Sequence, residues 1–117
     1  MKNYLALEDL ANKDSFLVDK KLVVALSGGI DSVVLLHFLN THYPTNVRAV
    51  HINHNLSDNS HKWALFCTKL CHSLDIEFKN IEIDIIKSSN IEENARKKRY
   101  KSLTSDLRTN ETLCTAH

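Results

Sequence analysis

Residues 22–39 are LVVALSGGIDSVVLLHFL, and they contain a strand pattern, a glycine turn and a helix pattern in succession. The five apolar residues Leu22–Leu26 are typical of a strand covered on both faces in a parallel sheet. The apolar residues that follow do not alternate, which predicts a helix from about Asp31. Gly28 and Gly29 allow a sharp turn and a close approach of the backbone to a ligand. Because amide groups at the helix N-terminus would face this turn, the stretch predicts a phosphate site.

The turn differs from the two commonest phosphate-binding loops. A Walker A loop needs a lysine, and a dinucleotide fingerprint needs three spaced glycines, whereas the whole chain has two glycines. Residues 27–32 are instead SGGIDS. A carboxylate in a phosphate-binding turn repels phosphates unless a cation lies between, so Asp31 is predicted to bind Mg²⁺. The alternative is that Asp31 only caps the helix.

Composition places the chain among ordinary soluble domains. Its 117 residues are enough for one domain, and 43% hydrophobic and 25% charged residues fit a globular protein. A net charge of +1 gives no global indication of nucleic-acid binding, and no apolar run is long enough to span a membrane. The N-terminus lacks an apolar signal-peptide segment, so we expect a cytoplasmic protein. The oligomeric state is left open.

The rest of the chain alternates strand and helix patterns, which predicts an α/β fold with a doubly wound, Rossmann-like parallel sheet. Thr41–Asn46 is predicted as a loop because Pro44 lies within it, and residues 4–18 are predicted to contain a short helix. The other predicted elements are strands at 47–52, 76–85 (at an edge of the sheet) and 112–116, helices at 58–74 and 91–107, and a loop at 87–90.

Two histidines, His51 and His54, follow the second predicted strand. Parallel strands bring their carboxyl ends to one edge of the sheet, so both histidines should lie near the turn at 27–32. Either could exchange a proton or bind a nucleotide. The alternative is that one histidine packs in the core and the other is solvated.

Five cations lie within six positions of the helix predicted at 91–107. Asn90 and Glu93 would form a capping box at its start. Arg96 and Arg99 lie one turn apart with Tyr100 beside them, and arginine can bind a phosphate through two hydrogen bonds. The alternative is an ordinary solvated face.

The helix predicted at 58–74 is amphipathic. Its apolar positions recur at helical spacing, so Cys67, Cys71, Phe66 and Trp63 are predicted to pack in the core. The two cysteines are four residues apart, which does not match a C-x-x-C redox or metal pair. We therefore expect free thiols in a reducing compartment.

SGGIDS after an apolar strand resembles the PP-loop pyrophosphatase superfamily, whose members cleave ATP between the α- and β-phosphates. Three more segments resemble the tRNA(Ile)-lysidine synthetase branch, in the same order: HINHNLS at 51–57, IEENARKKRYKSL at 91–103 and LCTAH at 113–117. The resemblance implies a ligase that uses ATP and Mg²⁺ to adenylate the wobble cytidine of tRNA(Ile) with a CAU anticodon. L-lysine then displaces AMP to give lysidine. The alternatives are another adenylating PP-loop enzyme, such as a tRNA thiolase or an amidotransferase-linked synthetase, and a non-catalytic ATP- or AMP-binding module.

The resemblance also implies roles for individual residues. Asp31 would hold Mg²⁺, Arg99 with Arg96 behind it would offset charge at the α-phosphate, and His51 and His54 would line the base pocket. Asp31, Arg99 and His54 are the predicted catalytic residues. The predicted cofactor-binding residues are Ser27, Gly28, Gly29, Ile30, Asp31, Ser32, Arg96, His51 and His117.

The chain departs from the family pattern at its C-terminus, because it stops before the acidic DQxET part of the last motif. Residues 1–117 are therefore expected to form a PP-loop domain that is incomplete after its fourth strand and inactive alone.

Overall fold

The computed structural model describes residues 4–6, 21–27, 29–54, 59–83 and 91–116. Strands and helices alternate through these residues. The strands are β1 Tyr4–Ala6, β2 Lys21–Ala25, β3 Val47–Asn53, β4 Glu77–Glu82 and β5 Glu111–Thr115, and the helices are α1 Ile30–His42, α2 Asn59–Ser73 and α3 Ile91–Asp106. None of the helices in these ranges is both long and apolar enough to cross a membrane.

All five strands are parallel, in the order β1-β5-β2-β3-β4. The chain proceeds outward from β2 to β3 and β4, and then crosses back to place β5 on the other side of β2. This reversal makes the sheet doubly wound, as the sequence predicts, and it opens a crevice beyond the carboxyl ends of β2 and β5. The four predicted strands are confirmed with small shifts at their ends, and β4 lies at an edge as predicted.

Alternating side chains of the strands form two cores, one on each face of the sheet. Leu22 and Val24 of β2 pack with apolar residues of α1 and α2 on one face. Val23, between them, packs on the other face with Leu103 of α3. Since both faces are covered, the central strands are apolar along almost their whole length.

The prediction for the N-terminus is wrong where the structure describes it. Tyr4–Ala6 forms a strand, not part of a helix, and it pairs with Leu113–Thr115. The pairing provides hydrogen-bond partners for backbone groups along one edge of β5. Because the paired positions are more than 100 residues apart, no local sequence pattern indicates the contact. The predicted helix beyond residue 6 and the loop at 87–90 lie outside the described residues.

The loop predicted at 41–46 begins later than expected. Helix α1 continues to His42, and the backbone N–H of Tyr43 donates to the Leu39 carbonyl at 2.7 Å. Pro44 disfavours a helical conformation at the residue before it, and Tyr43 has a φ of −132°. The proline therefore ends the helix two positions before itself.

Helix α2 confirms the prediction for its cysteines and corrects that for Phe66. Cys67 and Cys71 are fully buried, and burial raises the pKa of their thiols to about 12 and about 11. Phe66 is instead 45% exposed and stacks on Trp63 with ring centroids 4.9 Å apart. The helix is buried at Ala64 and the two cysteines, so the stripe of apolar residues along α2 is wider than the part of the helix that packs against the sheet.

A buried ion-pair network ties α3 to the amino ends of three strands. Arg48 of β3 is 5% exposed and donates two hydrogen bonds to Glu111, at 2.7 and 2.8 Å, and one to Asp106 at 2.9 Å. Lys79 of β4 donates to the other Asp106 oxygen at 2.6 Å. The sequence analysis missed this network, which lies at the edge of the sheet opposite the crevice.

Candidate functional site

A cavity of about 1070 Å³ lies at the carboxyl edge of the sheet. The ends of β2, β3 and β5 form its floor, and the N-terminal part of α2 and the middle of α3 form its walls. Its lining residues include Ser27, His51, Asn53, His54, Ser60, Trp63, Arg96, Arg99, Tyr100 and Thr115. The crevice predicted from strand order is therefore present, and five predicted site residues line it together: Ser27, His51, His54, Arg96 and Arg99.

The turn after β2 is held in shape by a buried serine. Ser32 Oγ accepts a hydrogen bond from the backbone N–H of Ser27 at 3.2 Å and donates one to the carbonyl of Gly29 at 2.9 Å. Ser32 is 1% exposed, so its hydroxyl braces the turn. Ile30, in contrast, is 75% exposed. Gly28 lies outside the described residues.

Gly29 leaves open space in front of the turn. It is the N-cap of α1, in an extended conformation with φ −118° and ψ 155°, and it makes no side-chain capping bond. A Cβ added there would meet only Ser27 Oγ, at 3.9 Å. Alanine would fit this backbone conformation, so the glycine is explained by its preference for the N-cap and by the close approach that it allows a ligand.

Asp31 is exposed in the first turn of α1. The capping alternative is wrong, because Gly29 holds the N-cap position. Within the described ranges no group of three or more His, Cys, Asp or Glu side chains could hold a metal ion. Mg²⁺ is commonly held by one or two carboxylates together with substrate phosphates, and a single exposed carboxylate beside an open glycine turn fits that arrangement.

His51 has a fixed tautomer. Its Nδ1 lies 2.7 Å from the carbonyl oxygen of Leu26, and since a carbonyl can only accept, Nδ1 carries the hydrogen. Burial lowers the pKa of His51 and nearby His54 adds to this, although the bond to Leu26 opposes both. The neutral ring therefore has its lone pair on Nε2.

The two histidines differ in burial, as the packing alternative supposed, yet both line the cavity. His51 is 6% exposed, and His54 is half-buried. Asn53, between them, is also buried and lines the same cavity, with its Nδ2 3.5 Å from His61 Nδ1. The sequence analysis did not single out Asn53, although its place at the end of a predicted strand could have indicated it.

Helix α3 gives the cavity a positive wall. Arg96, Arg99 and Tyr100 line it from one face of the helix, as their spacing predicts. Lys97 pairs with Glu93 at 3.4 Å, but neither arginine forms a salt bridge within the part of the chain that is described. Arg99 is partly buried and Arg96 is exposed. Cations without carboxylate partners on a concave wall attract anionic ligands.

Two residues that line the cavity, Trp63 and Thr115, each have a buried polar atom with no hydrogen-bond partner among the described residues. These atoms are Nε1 of Trp63 and Oγ1 of Thr115. The sequence analysis predicted Trp63 only as a packing residue, and it did not single out Thr115 within the segment LCTAH. His117 lies outside the described residues.

Comparison with known proteins gives matches in sequence and in structure. Residues 3–117 match the family described as PP-loop domain. The tRNA(Ile)-lysidine synthase of Actinobacillus pleuropneumoniae serotype 3 (strain JL03) is 44% identical over 102 residues, covering 87% of this chain and 24% of that protein. That of Histophilus somni (strain 2336) is 39% identical over 116 residues, covering 95% and 27%. The chain therefore spans about a quarter of the length of these curated relatives.

A solved structure supports the fold. The NH3-dependent NAD synthetase from Campylobacter jejuni, solved in complex with the nitrate ion, superposes with a TM-score of 0.63 at 22% sequence identity. The match covers 92% of this chain and 49% of that one. At this identity the likeness concerns the architecture of the sheet and helices.

Proposed function

From the premise that this chain belongs to the PP-loop domain family, we propose that it binds ATP as part of an enzyme that forms lysidine in tRNA(Ile). The observation that carries the proposal is the cavity itself, which is lined by Ser27 of the glycine turn and by two arginines, Arg96 and Arg99, that form no salt bridge within the described residues. The tRNA(Ile)-lysidine synthases among its relatives support the choice of substrate.

ATP would bind with its phosphates at the turn between β2 and α1. Backbone amides at the start of α1 would donate to phosphate oxygens, favoured by the positive end of the helix dipole. Asp31 would hold Mg²⁺, which when bound offsets phosphate charge. Ser27 and Gly29 would contact the phosphates, while Ser32 would keep the turn in shape.

The reaction would proceed in two displacements. The 2-oxo oxygen of the wobble cytidine attacks the α-phosphorus, the bond to the β-phosphate oxygen breaks, and pyrophosphate leaves. An amine of L-lysine then attacks C2 of the base, its proton is lost, and AMP leaves with the oxygen. Both attacks depend more on the positioning of the nucleophile and on stabilisation of the negative charge that develops than on a covalent bond to the protein.

The cavity wall supplies groups suited to these steps. Arg99 and Arg96 would stabilise negative charge at the α-phosphate, where guanidinium groups can donate two parallel hydrogen bonds. His54 would exchange a proton with the incoming amine. His51 is neutral and is engaged with Leu26, so a contact with a base suits it better than proton transfer.

The nucleotide part of the proposal is tested by calorimetric titration of the chain with ATP, with and without Mg²⁺. We expect binding that depends on Mg²⁺ and loses that dependence in Asp31→Asn. Glu92→Gln is the matched control, since Glu92 is also an exposed acid in the first turn of a helix. Equal Mg²⁺ dependence in Asp31→Asn and the wild type would contradict the assignment of Asp31.

The choice of substrate is tested in a chimaera. Residues 21–116 replace the matching segment of the Actinobacillus pleuropneumoniae relative, and the product is incubated with tRNA(Ile), ATP and lysine. Mass spectrometry of the nucleosides is expected to show lysidine, with the unaltered relative as positive control. A chimaera that binds ATP but gives a thiolated base, or no product, would favour the other PP-loop enzymes or a non-catalytic module.

A further inference from the structure

Helix α3 carries the arginines of the cavity but has little apolar contact with the sheet. Among its side chains within the described residues, the buried ones are Ala95 and Leu103, and Leu103 belongs to the core on that face of the sheet. Helix α1, by comparison, packs through three fully buried leucines. Burial of apolar side chains is the main force that docks a helix. The position of α3 therefore depends more on its polar contacts than the position of α1 does.

The polar contacts of α3 are concentrated at its last residue, Asp106. Arg48 of β3 donates to Asp106 Oδ2 at 2.9 Å and to the Asp106 backbone carbonyl at 3.1 Å, and Lys79 of β4 donates to Oδ1 at 2.6 Å. Arg48 also donates twice to Glu111, at the start of β5. The C-terminal end of α3 is thereby joined to three strands.

Asp106 is unfavourable for the helix considered alone. A carboxylate in the last turn lies at the negative end of the helix dipole, and the last turn of α3 has no basic residue to offset it. A residue that breaks a local rule is usually explained by a role in the tertiary structure. Since its partners come from β3 and β4, Asp106 serves the attachment of the helix to the sheet.

We propose that Asp106 is a positioning residue for phosphate binding: its bonds with Arg48 and Lys79 fix the tilt of α3 and thereby the place of Arg96 and Arg99 in the cavity. Arg99 lies about 10 Å from Asp106 along the helix axis. A tilt of about 10° at Asp106 would move that point by about 2 Å, which is more than a directed hydrogen bond tolerates. The inference rests on the proposed function, which assigns the two arginines to the ATP phosphates, and adds the contact that holds them in place.

A mutant cycle separates positioning from general stabilisation. ATP with Mg²⁺ is titrated calorimetrically into the wild type and Asp106→Asn, and into the same pair with both Arg96 and Arg99 changed to alanine. Asparagine keeps the shape of Asp106 and removes its charge. We expect Asp106→Asn to weaken ATP binding about three- to tenfold when the arginines are present, and less than about twofold when they are absent, because it acts through them.

Two further variants complete the comparison. Glu77→Gln is the matched control, because Glu77 pairs with Arg108 near the same edge of the sheet, both side chains are more than half exposed, and neither lies on α3. It should leave the ATP affinity unchanged. Lys79→Gln removes one bond of Asp106 at a small cost in stability, since Lys79 is also more than half exposed. It should weaken ATP binding about two- to threefold, and it tests the proposal even if Asp106→Asn does not fold.

Hydrogen exchange gives a readout that a uniform loss of stability would not produce. In Lys79→Gln and Asp106→Asn the backbone amides of α3 should exchange faster than in the wild type, while those of α1 should keep their rates. Equal acceleration in both helices would indicate general destabilisation and would contradict the positioning role.

The outcomes distinguish this inference from the proposed function. An equal loss of ATP affinity with and without the two arginines, or unchanged affinity in the folded variants of Asp106 and Lys79, overturns the positioning role while ATP binding stands. A wild type that binds no ATP overturns the proposed function, and the positioning role in phosphate binding fails with it.

Discussion

Replacing Gly29 by alanine should leave the stability of the protein nearly unchanged and make its ATP binding weaker. The residue has φ −118° and ψ 155°, which alanine adopts without strain, and the added Cβ would meet only Ser27 Oγ at 3.9 Å. Alanine restricts the unfolded chain, which contributes about 0.4–1 kcal/mol to stability. Gly29 is the N-cap of α1, where alanine is less favourable than glycine by a similar amount, so we expect the free energy of unfolding to change by less than about 0.5 kcal/mol. For a domain of this size that corresponds to less than about 3 °C in the unfolding midpoint.

The same methyl group would occupy the open space in front of the turn. If a phosphate must approach there, it moves back and loses at least one hydrogen bond from a backbone amide. A hydrogen bond to a charged group contributes about 1.5–3 kcal/mol, so the ATP affinity should fall by about 10- to 100-fold. A loss of affinity without a loss of stability distinguishes this change from general damage to the fold.

Calorimetric titration and thermal unfolding measure the two quantities on the same samples. Val34→Ala is the matched control, since Val34 is 53% exposed on α1 and alanine has the higher helix propensity. The control should gain a few tenths of a kcal/mol in stability and bind ATP normally. Unchanged ATP affinity in Gly29→Ala would refute the assignment of this space to a ligand. A loss of stability above about 2 kcal/mol would refute the argument from backbone geometry, since it exceeds the cost of an alanine at an N-cap.

Three further predictions concern groups away from the turn. Arg48→Met should lower the free energy of unfolding in urea by about 3–5 kcal/mol, because the buried carboxylate of Glu111 would lose its guanidinium partner while Asp106 would keep Lys79. A loss under about 1 kcal/mol would contradict this. Burial raises the pKa of both carboxyls, but their hydrogen bonds with Lys79 and Arg48 outweigh it and hold each pKa below its ordinary value. The two carboxylates therefore contribute fully to stability above the unfolded pKa of about 4, and this contribution is lost as the pH falls through their folded pKa values. In urea titrations at decreasing pH, the free energy of unfolding should fall more steeply in the wild type than in Arg48→Met. Burial raises the pKa of the Cys67 and Cys71 thiols of helix α2, so they should react with iodoacetamide at pH 8 only after the protein unfolds. Rapid labelling of the native protein would place these thiols outside the core.

Local patterns predicted most of the elements and the edge of the sheet on which the site lies. The continuous apolar run at 22–26 is typical of a strand buried on both faces, and the alternation at 76–85 has the two-residue period of a strand with one solvated face. Both patterns follow from backbone geometry alone. Parallel strands joined by helices must bring their carboxyl ends together, so the shared location of Ser27 and His51 at one edge of the sheet followed from element order alone. The spacing of Arg96 and Arg99 likewise predicted a shared helical face.

The tertiary structure decided the features that depend on contacts between distant residues. Strand β1 pairs with β5 more than 100 positions away, and Arg48 meets Glu111 only because β3 and β5 place both on the face covered by α3. The tautomer of His51 is set by a carbonyl of the neighbouring strand, and the unpaired indole N–H of Trp63 is defined by what surrounds it. A sequence specifies which groups a chain carries, whereas the partners of a buried polar group are specified by packing. The chemistry of individual atoms in this cavity therefore emerged only once the strands and helices were assembled.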